Sequence, residues 1–495
     1  MLKPQRLLLP LILAAATALA RADYPSSWVD PDTGHRIVQL SREPGTQSLY
    51  FTQNAYTKDG KLIVSTPHGL ATIDVNTGAI DPVEDQSDTP SGPPAPPAVP
   101  SVAPAAGQAA APGDGFARFR NRMRVIETGH KTGSIFFQKN GAVYAMDPQT
   151  KISRKVAALP EDKGGMASIS TVNADETLLA GTVTLGQAPG RPGGEMNRRA
   201  PGDAAYMGGD NLPGKGDMME RRLAARVPMI LFTLNLQTGE YKELLHTTDW
   251  LGHIQFSPTD PALLMFCHEG PWHKVDRIWL IQVDAANPQP TLVHKRTMRT
   301  EIAGHEFWGA SGEWLWYDLQ TPRGEVFWVA GYNVKTGERR WYHVERDQWS
   351  VHFNVSPDGT LFSGDGGSED KNVAHAKDGK WLYLFRPRML PDLQTPADQA
   401  GLVQIGTFDY ERLVNLRQHD YVLEPNATFT PDMKWLVFRS NMNGKVQVYA
   451  VEIAKAKPDQ PPPVPRRPRP APPDAPATPP SPAVPAAPQR GTPQT

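Results

Sequence analysis

Short apolar runs set off by polar turns recur along most of this chain. A turn precedes a run at Lys58-Asp59-Gly60 before Leu62-Ile63-Val64, at Ala174-Asp175-Glu176 before Leu178-Leu179, and at Thr259-Asp260-Pro261 before Leu263-Leu264-Met265. The same phase returns at Ser311-Gly312 before Trp314-Leu315-Trp316, at Pro357-Asp358-Gly359 before Leu361-Phe362, and at Pro431-Asp432 before Trp435-Leu436-Val437. Runs this short, bounded by turn residues and rich in branched and aromatic side chains, read as strands. A further strand then closes on a second turn, as in Ile73-Asp74-Val75-Asn76-Thr77-Gly78, Leu234-Asn235-Leu236-Gln237-Thr238-Gly239 and Tyr332-Asn333-Val334-Lys335-Thr336-Gly337.

Four short strands per cycle of roughly 40 to 50 residues is the mark of a β-propeller blade. With Gly133 to Leu159 taken as a blade whose first turn is blurred, the blades number seven. Arg36-Ile37-Val38-Gln39-Leu40 would supply the missing strand of the last blade, after Val446 to Ile453, and so close the ring. The predicted fold is therefore an all-β, seven-bladed β-propeller occupying residues 23–457.

Three stretches interrupt this pattern. Pro90 to Pro112 is mostly Pro, Ala, Ser and Gly, Gly186 to Arg222 is rich in Gly, Met and charge, and Pro458 to Thr495 is proline-rich. They lack the hydrophobicity to fold and read as two surface insertions, about 86–117 and 186–222, and a disordered tail, 458–495. The second insertion carries the basic cluster Arg191, Arg198, Arg199, Arg221 and Arg222, which reads either as a solvated loop or as a lid over an acidic substrate.

The first 22 residues have the layout of an export signal: Lys3 and Arg6, an apolar run from Leu7 to Ala20, and the small-residue site Ala20-Arg21-Ala22. A periplasmic or secreted protein is expected, with no membrane span, since no stretch reaches the roughly 20 apolar residues a membrane helix needs. With Cys267 the only cysteine, no disulfide forms within the chain, and an apolar core must hold the fold. Cys267 itself, between Phe266 and His268, reads as a buried inert thiol. The formal net charge of −1, or −4 without Lys3, Arg6 and Arg21, gives no basic excess that would point to nucleic acid.

Against this periodic background three histidines share one phase. His253, His305 and His352 each stand at or just ahead of an apolar run that begins a new unit, in three consecutive blades. In a propeller such positions line the central channel, so the ring would bring them together. Imidazole with oxygen donors suits manganese, iron, nickel or zinc. The segment Cys267 to Arg277 is dense in charge, with His268, Glu269, His273 and Arg277 as candidate substrate-binding residues, joined by Arg323 in the loop Gln320-Thr321-Pro322-Arg323-Gly324. Arginine pairs a carboxylate through two parallel hydrogen bonds, which makes an anionic sugar or acid a reasonable ligand class; ordinary ion pairing within loops is the alternative. Trp314 and Trp316 read as core, while Trp272 and Trp308 could be core or sugar-stacking platforms.

Over Thr248-Asp249-Trp250-Leu251-Gly252-His253, Phe266-Cys267-His268-Glu269-Gly270-Pro271 and Gly304-His305-Glu306-Phe307-Trp308 the chain resembles the oligogalacturonate lyase family of seven-bladed propellers. The resemblance runs from about Trp28 to Lys455 with the insertions omitted. It implies β-elimination on short galacturonate chains in pectin breakdown, assisted by a divalent metal of the manganese type. It also implies His253 as the base and His305 and His352 as metal ligands. The chain departs from the family pattern in several places. Trp349 and Asn354 stand where the family has a glutamine and a further histidine, and Glu424-Pro425-Asn426 replaces a His-Pro-His; the strand position of the catalytic arginine falls near Ile230. The resemblance thus leaves Asn354 and Glu424 as oxygen donors to the metal and Arg226 as the nearest catalytic arginine. The other functions open to such a chain are a non-catalytic propeller that binds acidic saccharides or a protein partner, and a scaffold tethered by its proline-rich tail.

Overall fold

The computed structural model describes residues 27–83, 123–160, 163–186, 215–368, 376–391 and 401–456. The export signal, the tail, the first insertion and most of the second lie outside the described residues.

Seven antiparallel blades stand around an axis. Blade 1 comprises Gln47–Ser48, Leu62–Thr66, Gly69–Ile73 and Ile80–Val83, and blade 2 Arg124–Thr128, Ile135–Lys139, Ala142–Met146 and Ser153–Ala158. Blade 3 is built from Met166–Val172, Leu178–Thr184, Met229–Asn235 and Tyr241–Thr247, and blade 4 from Trp250–Phe256, Leu263–Glu269, Ile278–Gln282 and Thr291–Leu292. Blade 5 holds Ile302–Trp308, Trp314–Gln320, Phe327–Asn333 and Arg339–Val344, and blade 6 holds Phe353–Val355, Phe362–Gly364, Trp381–Met389 and Val403–Asn415. These two join at their outer edges, where Arg339–Val344 pairs in parallel with Val403–Asn415.

Blade 7 takes Thr428–Phe429, Trp435–Ser440 and Gln447–Lys455 from the end of the described chain and His35–Gln39 from its start, with Ser27–Val29 outside. The expected closure is therefore realised: Ile37 pairs with Val451 and Val38 with Ala450. Closing the ring in this way joins the early and late parts of the chain by hydrogen bonds inside blade 7. Blade 2 starts earlier than the sequence pattern suggests, at Arg124, because its first strand ends in Glu127-Thr128-Gly129 rather than in a recognisable turn.

The second and third strands of each blade are apolar on both faces, since each is sandwiched between neighbouring blades. Ile63, Val64, Phe137, Leu231, Phe266, Leu315, Leu384 and Val437 are fully buried there. Each such side chain contributes roughly 1.5–3 kcal/mol by leaving water. Cys267 lies in this layer, fully buried, as expected of an inert thiol. Trp316 is buried and stacks on the half-buried Trp314 at 5.3 Å, in agreement with a packing role.

The end of the second insertion departs from expectation. Lys215–Ala225 is an α-helix, α1, not a loop. Met219 is the reason: it is buried against Trp272 and Ile302, with Met218 and Trp250 beside it, so the segment gains from tertiary contact the apolar burial that its composition alone does not promise. No helix among the described residues is long and apolar enough to cross a membrane.

Candidate active site

The first strands of the blades lie innermost and touch one another, Met166–Val172 meeting both Arg124–Thr128 and Trp250–Phe256. On two of them the chain repeats one local device. The pairing of Trp250–Phe256 with Leu263–Glu269 slips between Gly252 and Gln255, and that of Ile302–Trp308 with Trp314–Gln320 slips between Gly304 and Phe307. At each bulge the histidine has a left-handed backbone, φ 47° at His253 and 48° at His305. This conformation costs of order 1–3 kcal/mol in a residue other than glycine and persists where the surrounding structure holds it, commonly at functional sites.

The glycine before each histidine makes room for a carboxylate from the next strand. A Cβ at Gly252 would meet Glu269 Oε1 at 2.5 Å, and one at Gly304 would meet Asp318 Oδ1 at 3.1 Å. Those same oxygens face the histidines: His253 Nε2 lies 3.3 Å from Glu269 Oε1 and His305 Nδ1 lies 3.2 Å from Asp318 Oδ1. Blade 6 repeats the pairing without the bulge. Asp365, just after Phe362–Gly364, takes Nδ1 of His352 at 2.8 Å and the His352 backbone N–H at 2.8 Å. Three consecutive blades thus each offer a histidine from the first strand and a carboxylate from the second.

The histidines share the opening. The His305 and His352 rings stand edge to face at 4.8 Å, and Tyr50 from blade 1 stands edge-on to both His253, at 6.2 Å, and His352, at 5.5 Å. His352 Nε2 lies 3.4 Å from the Tyr50 hydroxyl and 3.9 Å from Glu424 Oε2. The Tyr50 phenol is pushed well up by burial and by the nearby carboxylates of Glu424 and Glu306, so it stays protonated.

His253 sits between two carboxylates, since its Nδ1 also lies 3.6 Å from Glu306 Oε2. Arg277 anchors both acids, donating from Nε to Glu306 Oε1 at 2.6 Å and from Nη1 to Glu269 Oε2 at 3.1 Å. Burial alone would raise the Glu306 carboxyl; Arg277 and His253 outweigh it and hold it ionised, at about 2. Its Oε2 accepts no hydrogen bond among the described residues. Burial lowers His253 below the usual histidine range in spite of Glu269, so its imidazole is neutral near pH 7. For His305 burial acts in the same sense, but Asp318 outweighs it and the net shift is upward.

The structure divides the remaining candidates. Arg277 is buried between its two acids and serves as an anchor rather than a free substrate ligand, and Glu269 serves His253. His268 stacks on Trp279 at 5.1 Å and faces Asp249 at 3.5 Å, with burial lowering it. Arg226, exposed, pairs with the same Asp249 at 2.6 Å. His273 stands on the loop after Trp272, where its carbonyl accepts from Arg296. Arg323 is held by its backbone N–H to the Thr300 carbonyl at 2.8 Å and stands within electrostatic reach of His273. Asn354 spends its amide on backbone, donating to Phe51 O and accepting from Phe429 N, each at 3.4 Å. Trp349 is core: buried, bonded to Val344 O at 3.1 Å. Trp272 is covered by α1 and meets His305 edge-on at 5.7 Å, and Trp308 packs half-buried among the residues between blades 4 and 5.

Sequence reasoning missed Tyr50, Glu306, Asp318 and Asp365. Asp318 and Asp365 carried only a weak signal, as acids in or just after otherwise apolar second strands, and their register differs from that of Glu269: Asp318 pairs with Gly304, where blade 4 pairs Gly252 with Cys267. Tyr50 carried none.

The tightest potential metal-ligand group among the described residues is His253, Cys267 and Glu306, with ligand atoms all within 4.8 Å of one another. Only part of this group is free to ligate: Glu306 gives Oε1 to Arg277 and keeps Oε2, while burial pushes the Cys267 thiol well up, toward its protonated form. His305 and His352 are the better pair. Each presents Nδ1 to a carboxylate, the arrangement that orients a metal-bound imidazole; Nε2 of His305 is left for a ligand, and Nε2 of His352 stands beside the Tyr50 hydroxyl and Glu424.

Fold and centre define the chain as a seven-bladed β-propeller with a histidine–carboxylate cluster at the axis. Residues 223–457 match the oligogalacturonate lyase family. Over 229 residues the chain is 30% identical to the oligogalacturonate lyase of Dickeya dadantii and, equally, to the oligogalacturonide lyase of Pectobacterium atrosepticum. Each match spans 45% of this chain and 55% of the relative, just over half of the relative's length. In structure the chain is similar to an oligogalacturonate lyase solved in complex with manganese, with TM-score 0.60 and 21% identity over 87% of this chain and 96% of the other. An oligogalacturonate lyase from Vibrio parahaemolyticus gives TM-score 0.60 and 18% identity over the same shares. These two structures establish the propeller fold over the length of both chains.

Proposed function

We propose that this chain is an exported lyase that cleaves oligogalacturonides or related uronate oligosaccharides by β-elimination. The observation that carries the reading is His253: a neutral imidazole held in a left-handed bulge, with carboxylates at both ring nitrogens, at the opening it shares with His305 and His352. The relatives named above support it, as does the export-like leader in the sequence.

The reaction removes the proton at C5, next to the substrate carboxylate, and expels the C4 oxygen to leave an unsaturated uronate. A neutral imidazole has one N–H and here two carboxylates to meet. Neither acid is hydrogen-bonded to the ring, and the side chain keeps 22% of its surface exposed, so the nitrogen without a proton is open to take the one from C5. Glu269 and Glu306 then stabilise the imidazolium, and Arg277 keeps both acids in place. His305 and His352, through their Nε2 atoms, and Glu424 are the donors that fit a divalent ion such as manganese; when bound, the ion supplies a Lewis acid for the substrate carboxylate. Asn354, engaged with two backbone groups, is not part of that set.

The test is to incubate the mature protein and its His253→Ala variant with oligogalacturonides and manganese, following the near-ultraviolet absorbance of the unsaturated product. Product from the wild type, falling by about 10²-fold or more in the variant, is expected for loss of a general base. No product from the wild type would refute the reading.

A further inference from the structure

We infer that Arg222, carried by α1 and laid on the ring of Trp250, is the guanidinium that receives a uronate carboxylate at the mouth of this site. The inference rests on the lyase reading for its ligand class, but its geometry stands independently.

An anionic sugar needs a cation that protein carboxylates have not already neutralised. Most of those around His253 are spoken for. Arg277 holds Glu269 and Glu306, Arg226 holds Asp249, Lys274 holds Glu220 at 2.9 Å, and Arg296 holds Asp276 at 3.1 Å. Arg222 differs: among the described residues its close partner is an aromatic face, with its guanidinium carbon 3.7 Å from the centre of the Trp250 ring. Stacking fixes the plane of a guanidinium without consuming its N–H groups, which stay available for a bidentate carboxylate.

Its position follows from the strand register. Trp250 is the direct cross-strand partner of Glu269, so their side chains are neighbours on one face of blade 4. Glu269 in turn meets His253 at 3.3 Å, and Arg222 lies within electrostatic reach of Glu269. The path from guanidinium to proposed base is therefore Trp250, Glu269, His253. The helix is held within the turn before this contact, by Met219 against Trp272 and Ile302 and by Glu220 on Lys274. This gives the end of the second insertion a purpose: it delivers a preorganised cation to blade 4, next to the blade 3 strand that carries Ile230 where the resemblance leads one to seek an arginine.

Calorimetric titration of trigalacturonate, and of the neutral trisaccharide with its carboxyls reduced, into wild type, Arg222→Gln and Arg222→Lys decides the matter, with steady-state kinetics alongside. Arg222→Gln should weaken uronide binding about 10- to 100-fold, the range for loss of a charge-assisted pair, and raise KM more than it lowers kcat. The neutral sugar should bind all three proteins alike, and Arg222→Lys should recover part of the loss. Uronide binding by Arg222→Gln equal to wild type overturns the inference while leaving the lyase reading standing. A wild type that binds uronide without turnover sinks the lyase reading, and the Gln variant then still judges Arg222 by affinity. A wild type that binds no uronide sinks both.

Discussion

His305 and His352 differ from Asn354 in what their side chains have left to offer. Each histidine sets Nδ1 beside a buried carboxylate and keeps Nε2 off the backbone, that of His352 meeting the side chains of Tyr50 and Glu424, whereas the amide of Asn354 joins the backbone at Phe51 to that at Phe429 across the seam of blades 6, 7 and 1. Removing a single ligand from a small donor set weakens a divalent site severely, while removing a bystander does not. Elemental analysis after equilibration with manganese and desalting should therefore find metal lost in His305→Ala and His352→Ala, and wild-type content in Asn354→Ala. Full metal in His352→Ala would remove it from the donor set. The family resemblance treated Asn354 and Glu424 alike, because a matched position does not say which hydrogen bonds a side chain has already made.

Among the elements, α1 owes its place to one side chain. Its polar composition and lack of a broad apolar stripe gave no reason to expect order, and Met219, buried between Trp272 and Ile302, is the contact that seats it. The blades do not depend on it. Met219→Ala should thus expose the backbone of 215–225 to hydrogen exchange, with protection falling by about 1–3 kcal/mol locally, while the global melting temperature stays close to wild type. A large fall in melting temperature would mean that the helix is integral to the ring. The strands, by contrast, were readable: fully apolar second and third strands with turn residues between them admit few other arrangements, and the pairing of Ile37 with Val451 is where the pattern placed it.

The whole ring is held at its axis by polar seams as well as by apolar layers. Glu127 of blade 2 is one of them, buried, accepting from Thr171 Oγ1 at 2.6 Å and the Val172 backbone N–H at 2.7 Å of blade 3. Burial raises this carboxyl to about 7 despite those donors. Because its folded value lies above its unfolded one, near 4.5, its contribution is complete below pH of about 4.5 and is lost as pH rises through about 7. Up to about 3 kcal/mol of global stability follows from a shift of this size. Chemical denaturation of Glu127→Gln against wild type should show the variant gaining relative stability between those two pH values; a pH-independent difference would contradict the assignment.

What the sequence by itself determined is the periodic part: seven units, the closure of the ring, and a common phase for His253, His305 and His352. Each depends on the alternation of apolar runs and turns along the chain, which one dimension records fully. Only the tertiary structure decided which acid serves which base, that Tyr50 joins from blade 1, that Arg277 is an anchor, and that an arginine on a polar segment ends over Trp250. Some of these are cross-strand contacts within one blade, such as His253 with Glu269, and others join different blades, such as Tyr50 with His352; both depend on strand register and on which way each side chain turns, which spacing along the chain does not encode.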